Sequence, residues 1–329
     1  MKAEILQLLR EQEGYVSGQD ICRRLSVSRT AVWKCIRQLK EEGYRIEAVQ
    51  NRGYLLVQSP DRVTAEEVSS LLKTEWAGHP VIFLEKTDST NNEAKRLAEA
   101  GAGHGTLVIA EEQEAGKGRR GRGWSSPAGT GIWMTLLLKP DFSPSRASML
   151  TLVAAMAVER GIRAATGLET GIKWPNDVVT GGKKVCGILT EMSAEPDLIN
   201  HVVIGIGINA NTEEFPEEIG SRAASLYLET GKRVKRGAVV ARVLEAFEAY
   251  YRIFLETTDL SALRAEYETR LLNKNETVCV LEPGREWKGT ALGIDSLGRL
   301  LVKPADPSAG GVKTVESGEV SVRGVYGYV

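Results

Sequence analysis

Histidine is scarce in this sequence: His79, His104 and His201 are the only three in 329 residues, and they lie far apart. That argues against a histidine-based metal site and against a histidine catalytic triad. The four cysteines, Cys22, Cys35, Cys186 and Cys279, form no CxxC or zinc-ligand spacing, and they read as reduced, mostly buried thiols. No apolar run reaches membrane length and no apolar N-terminal signal region appears, which by default places the protein in the cytoplasm, off the membrane. The formal net charge is -1, so any attraction to an anionic partner has to be local. A Gly-Lys-Ser/Thr phosphate loop is missing as well.

What is present begins with length, enough for two or three domains, each with its own core. The most unusual stretch is Gly116-Lys117-Gly118-Arg119-Arg120-Gly121-Arg122-Gly123-Trp124, four cations interleaved with four glycines and closed by an aromatic. Glycines let a backbone bring its N–H groups against a ligand, and the cations neutralise phosphate or carboxylate. Taken alone, the stretch fits an anion site, a solvated basic turn or a nucleic-acid contact. Its Gly116-x-Gly118-x-x-Gly121 count matches the dinucleotide pattern, but Ser-Ser-Pro follows it instead of an apolar helix, so that match is discounted. Gly205-Ile206-Gly207 follows a strand and leads into acidic, proline-containing loop sequence, and is discounted likewise.

Residues 1–60 read as a winged helix-turn-helix. Ile5, Leu6, Leu8 and Leu9 have helical spacing; Ser17 and Ser28 are placed to cap a second and third helix; Val32, Cys35, Ile36 and Leu39 share the third helix's inner face. Its outer face offers Arg29, Thr30, Trp33, Lys34 and Arg37. Tyr44, Ile46 and Ala48 then alternate, a turn falls at Gln50 to Gly53, and Tyr54 to Val57 returns as the wing. Residues 1–58 hold ten Lys or Arg against seven Asp or Glu, a modest local excess that favours DNA over protein contact. Ser28, Arg29, Thr30, Trp33, Lys34, Arg37 and Arg52 are the candidate DNA-binding residues, some for base edges and some for phosphates. Trp33 either contacts DNA or fills the helix junction.

Ser59-Pro60-Asp61 marks a boundary. Across 61–274 we expect helices near Thr64–Leu72, Ala94–Ala98, Ala147–Ala165, Gly237–Leu255 and Leu260–Leu272. Strands are expected near Val81–Leu84, Thr106–Ala110 and Ile132–Leu138, with a hairpin pairing Lys183–Glu191 to His201–Ile208. From 275 to 329 the period turns to two, with turns at Pro283-Gly284 and Ser296–Gly298 and a last strand over Glu319–Arg323, which suggests a small barrel.

Ser89-Thr90-Asn91, the Gly116–Trp124 loop, Lys173-Trp174-Pro175-Asn176-Asp177, Lys184-Val185-Cys186-Gly187-Ile188-Leu189 and Gly205–Asn209 occur together and in order. Jointly they resemble the catalytic domain of the biotin protein ligase family, and the winged helix makes the whole chain similar to its bifunctional form, ligase and biotin operon repressor in one. The resemblance implies an α+β multidomain fold: winged helix over 1–60, mixed α/β catalytic domain over 61–274, SH3-like small β-barrel over 275–329. It also implies biotin and ATP as substrates, with Mg²⁺ on the phosphates and no residue assigned to hold that ion. The expected partners are the apo-biotin carboxyl carrier protein of acetyl-CoA carboxylase (and of pyruvate carboxylase if present), operator DNA, and a second copy when adenylate is bound.

The family's residue roles carry over onto matching positions. Ser89, Thr90 and Gln113 would bond the biotin ureido ring, with Gly187 against it. Gly116, Lys117 and Arg119 would belong to a glycine-rich lid, disordered without ligand. Arg119 would retain the adenylate, and Lys184 would stand between carboxylate and α-phosphate. Trp124 would pack by adenine, with Arg122, Lys173, Asn176 and Asn209 as further nucleotide candidates. Two rivals stay open: a lipoate-type protein ligase, and a ligand-sensing repressor with an inactive ligase domain.

Overall fold

The computed structural model of the chain describes residues 1–282, 284–317 and 321–324. Three helices and a hairpin open it: α1 (Lys2–Glu11), α2 (Gly18–Leu25), α3 (Arg29–Glu41), β1 (Arg45–Val49) and β2 (Gly53–Gln58). Ser17 Oγ accepts the Asp20 N–H and Ser28 Oγ accepts the Ala31 N–H, so both expected N-caps are made. α3 buries Val32, Cys35, Ile36 and Leu39 in a core shared with Ile5, Leu6, Leu9 and Ile21, separate from the rest of the molecule's core. Of the alternating Tyr44, Ile46 and Ala48, the first two are buried and Ala48 is exposed, because that core ends at Ile46 on the hairpin's first strand.

The middle of the chain is organised on one seven-stranded sheet. Its strands are β3 (Val81–Thr87), β4 (Leu107–Gln113), β5 (Gly131–Leu138), β6 (Gly171–Lys173), β7 (Asp177–Thr180), β8 (Lys183–Ala194) and β9 (Ile199–Asn209), in spatial order β3-β4-β5-β9-β8-β7-β6. β3 and β4 run parallel and every other pair antiparallel. The helices are α4 (Ala65–Ser69), α5 (Thr90–Glu99), α6 (Leu150–Thr166), α7 (Glu217–Gly220), α8 (Leu226–Thr230), α9 (Arg236–Thr257) and α10 (Arg264–Arg270). α6 and α9 pack together into the main core, and α5 lies on the sheet's other face through Ala94, Ala98, Val108, Leu137 and Val203. Two helices are shorter than their apolar pattern suggested. α10 ends before Leu272, whose N–H leaves the helix to reach the Ile172 carbonyl, and α4 ends at Ser69.

The C-terminal part is an antiparallel sheet of β10 (Thr277–Glu282), β11 (Arg285–Ile294), β12 (Leu300–Pro304), β13 (Lys313–Val315) and β14 (Ser321–Gly324), in the order β13-β12-β11-β10-β14. Of the turn expected at Pro283-Gly284, Pro283 lies outside the described residues, while Gly284 has φ +71. Of the strand expected over Glu319–Arg323, Glu319 and Val320 lie outside them. This sheet is joined to the central one by apolar packing and by Trp174, whose indole N–H donates to the Gly298 carbonyl at 2.9 Å. No described helix is long and apolar enough to cross a membrane.

Candidate active site

The site is laid out by strand alternation. On β9, Ile204, Ile206 and Ile208 enter the main core, so Gly205 and Gly207 face the α5 side. Register sets Gly207 between Gly187 on β8 and Trp133 on β5, and Gly205 between Leu189 and Thr135. Removing side chains along that row leaves a trough. A Cβ on Gly205 would stand 2.2 Å from Asn91 Oδ1, one on Gly207 2.6 Å from Trp124 Nε1, and one on Gly187 2.9 Å from Lys184 Nζ. The Gly-Ile-Gly-Ile run is therefore a strand whose apolar period holds the core while its glycines clear a cavity.

Lys184 and Gly187 are three residues apart and would face opposite ways on a regular strand. A register shift between Val178 and Val179 pairs Val179 with Lys184 while Val178 pairs with Cys186, leaving Val185 as the extra residue. This bulge turns Lys184 onto the trough side. Its backbone is fixed by the segment before α8: the Lys184 N–H donates to the Arg222 carbonyl at 2.8 Å, and the Ala224 N–H donates back to the Lys184 carbonyl at 2.9 Å. The ammonium lies 2.6 Å from Asp177 Oδ1 and 5.0 Å from the Trp124 ring centroid.

One end of the trough is polar. Thr90 donates from both its N–H and its hydroxyl to Gln113 Oε1, at 2.8 and 3.0 Å, and Gln113 Nε2 donates to Ser126 Oγ at 2.7 Å. Ser89 occupies the N-cap position of α5, yet its buried side chain makes no capping hydrogen bond. That hydroxyl is not consumed by the helix, as an ordinary cap would be.

The basic loop carries backbone hydrogen bonds of its own. Gly118 N–H donates to the Arg122 carbonyl and Trp124 N–H to the Gly116 carbonyl, at 2.7 and 2.8 Å, around a one-turn 3₁₀ segment at Arg119–Gly121. Arg120 takes the left-handed region at φ 59. Lys117 lines the trough, and its ammonium donates to Asn92 Oδ1. Arg119 reaches Asn176 Oδ1 at 3.0 Å and the Ser317 carbonyl of the C-terminal part. Burial, reinforced by Arg120 and Arg122, lowers the Arg119 guanidinium from its usual value, with Asp177 opposing. Gly116 lies at the loop's base, where a Cβ would stand 2.3 Å from the Trp124 carbonyl.

Two cavities meet at Trp124, Trp133 and Lys184. The first is lined by Ser89, Thr90, Gln113, Lys117, Arg119, Asn176 and the trough glycines. The second, mainly apolar, is lined by Arg122, Asn209, Phe215, Pro216, Ile219 and Arg222. Asn209 also donates to the Ala224 carbonyl. Lys173 lines neither cavity; it is buried on β6 opposite Asp177. On α3, Arg29, Thr30, Trp33, Lys34 and Arg37 are exposed together, as is Arg52 in the wing, and Arg37 lies over the Trp33 ring. Trp33 is 53% exposed, so it does not fill the helix junction. The Ser28 hydroxyl is engaged in its cap.

Residues 83–209 match the Biotin/lipoate A/B protein ligase family, 2–55 an HTH domain and 275–323 the Biotin protein ligase C terminal domain. The bifunctional ligase/repressor BirA of Bacillus subtilis (strain 168) is 39% identical over 325 residues, 98% of this chain and 98% of that protein. The chain belongs to the biotin protein ligase family. The Escherichia coli (strain K12) bifunctional ligase/repressor BirA is 29% identical over 97% of this chain and 96% of its own length. Among solved structures, the biotin protein ligase from Aquifex aeolicus in complex with biotin and ATP aligns with TM-score 0.65 and 34% identity, covering 74% of this chain and 98% of that one.

Several residues of this ligase-family site escape sequence reading. Trp133 borders both cavities and meets Trp124 edge to face, with ring centroids 6.5 Å apart; in sequence it sits inside an apolar strand like any core residue. Its ring folds back over Gly131, where a Cβ would stand 2.1 Å from it. Ser126 and the 211–223 segment carry no motif that periodicity could flag, and Asn91, visible within Ser89-Thr90-Asn91, had no role until its amide was seen to donate to the Leu189 carbonyl and to Glu191.

Proposed function

We propose that this chain is a cytoplasmic biotin protein ligase that is also a biotin-responsive transcriptional repressor, with residues 1–60, 61–274 and 275–329 as its DNA-binding, catalytic and C-terminal domains. The observation that carries the ligase reading is the pair of cavities joined at Lys184. One has a polar end of unspent and paired donors and acceptors suited to a ureido ring, and the other has apolar walls suited to adenine. In the first step a biotin carboxylate oxygen bonds to the α-phosphorus of ATP, the bond from that phosphorus to the bridging oxygen breaks, and diphosphate leaves. An anionic nucleophile then meets a polyanion, so the barrier falls through placed positive charge and alignment.

Lys184 is the group we assign between carboxylate and α-phosphate, and Arg119 the group that retains the adenylate. Ser89, Thr90 and Gln113 take the ureido ring, with Gly116, Lys117 and Gly187 beside it. Arg122, Trp124, Asn176 and Asn209 face the nucleotide, and Lys173 supports them from β6. In the second step the carrier lysine amine attacks the acyl carbon and AMP leaves. Mg²⁺ bound with ATP would supply charge neutralisation to the phosphates. Arg119 and Lys184, which line the first cavity, would share in neutralising those phosphates.

For the repressor half, the support is the exposed α3 face with Ser28 at its start and Arg52 in the wing, on a module similar to an HTH domain. We assign Ser28, Arg29, Thr30, Trp33, Lys34, Arg37 and Arg52 to operator DNA. Adenylate binding is assigned to favour a homodimer that meets a palindromic operator, with the apo-biotin carboxyl carrier protein competing for the adenylate-bound form. Incubation with biotin, Mg-ATP and an apo-carboxyl-carrier domain should label one carrier lysine, and lipoate should not replace biotin. No label, or equal use of lipoate, would refute the ligase reading. Gel shifts on DNA upstream of biotin genes should strengthen when biotin and ATP are both present.

A further inference from the structure

The N-terminal side of the lid is tied to the turn between β3 and α5 and to the first turn of α5. Lys117 Nζ donates to Asn92 Oδ1 at 2.9 Å, and Asn92 Nδ2 donates to Asp88 Oδ2 at 2.6 Å. Asp88 is itself held by Arg96, 2.8 Å from Oδ1, and by the Thr87 hydroxyl at 3.1 Å. The loop's stem lands on the same place: the Ala115 N–H donates to the Asp88 carbonyl at 2.8 Å and the Glu114 N–H to the Thr87 carbonyl at 2.9 Å. Between Asp88 and Asn92 sit Ser89 and Thr90, which line the first cavity.

We propose that Asn92 is a positioning residue for the ligase reaction: through Lys117 it latches the glycine loop over the cavity and so slows escape of the adenylate. The inference rests on the ligase function proposed above. Asn92 touches neither cavity; it acts through Lys117. The chemistry suits a latch that must open each turnover. The acceptor is a neutral amide, so the bond to the exposed ammonium is worth little enough to break. A carboxylate at this position would face Asp88 across 2.6 Å, where only a donor is tolerated. The Asp88 carboxylate, held well below its usual range first of all by the hydrogen bond from Arg96, stays an acceptor for Asn92 throughout the neutral range.

The test uses the full-length chain. Release of preformed biotinyl-AMP should be about three- to tenfold faster in Asn92→Ala and in Lys117→Met than in the unsubstituted protein. The double variant should be no faster than either single one, since both remove the same bond. Lys117→Arg, which keeps a donor, should retain slow release. Unchanged release in Asn92→Ala, or multiplied effects in the double variant, would overturn the latch. Hydrogen exchange on the ligand-free chain gives a second readout: the Gly118 and Trp124 amides should exchange faster in Asn92→Ala, and unaltered protection would overturn the latch. Because that measurement needs no ligand, it separates failure of the latch from failure of the ligase reading, which would show instead as no biotinyl-AMP in the unsubstituted protein.

Discussion

At Gly207 one added methyl would stand 2.6 Å from Trp124 Nε1 and 2.8 Å from its Cε2. The Trp124 indole nitrogen is buried without a hydrogen-bond partner among the described residues, so the ring is held there by packing on Gly207 and Gly187 and by the edge of Trp133. Gly207→Ala should push the indole off the trough, and overpacking of about 1–3 kcal/mol then predicts a loss of about tenfold to a hundredfold in biotin-dependent ATP–diphosphate exchange. The same overpacking should lower the melting temperature by about 2–4 °C per kcal/mol. Exchange at the unsubstituted rate would show that the indole's seat on Gly207 is immaterial. In sequence, these glycines were visible as a motif but their purpose was not: that they empty one face while the isoleucines fill the other is a statement about two neighbouring strands.

Strands and helices were legible where their pattern was long and regular. The winged helix, the β8–β9 pairing and the long apolar α6 and α9 follow from spacing and capping alone. The bulge at Val185 was not, since Lys183 to Glu191 alternates acceptably as an unbroken strand, and only the pairing to β7 brings Lys184 and Gly187 to one side. The same limit applies to α9, where Glu248 sits in an apolar helix with no visible partner. Folded, its carboxylate accepts the N–H groups of Glu75, Trp76 and Ala77, each at 2.9 Å. Burial pushes this carboxyl up, but the three backbone donors, helped by Arg252, together hold it below its ordinary value of 4.5. A carboxyl lowered by folding stabilises the fold above its unfolded pKa, and that contribution is lost as pH falls through the folded value. Thermal denaturation should therefore show stability declining below about pH 4.5, and Glu248→Gln should be less stable at pH 7 and lose less on acidification. Parallel pH curves for the two proteins would rule out this role.

Across the whole molecule, the N-terminal module has its own core and meets the catalytic part through a compact polar contact. Arg10 of α1 donates to both oxygens of Glu67 on α4 at 2.8 Å and to Ser59 Oγ at 2.9 Å, and the Tyr44 hydroxyl donates to Glu67 Oε2 at 2.6 Å. Burial, then the bond to Glu67, pushes the Tyr44 hydroxyl well above its usual range, so it stays a donor at every physiological pH. Glu67→Ala removes the carboxylate that Arg10 and Tyr44 share, at a cost of about 3 kcal/mol. Calorimetry should then resolve a separate, earlier transition for residues 1–58, while biotinyl-AMP formation continues and its enhancement of DNA binding weakens. A single unaltered transition would mean that other contacts hold the module.

The order of the motifs, the caps and the apolar periods were enough to set three modules and the residue types of an anion-handling site, because each is written in local spacing. Tertiary structure decided what spacing cannot carry. It set Lys117 on Asn92, Arg119 across to the C-terminal part, Trp133 at the junction of two cavities and Lys173 away from both. Those positions depend on how strands register and which loops land on them, and residues distant in sequence become neighbours only when the sheet closes them together.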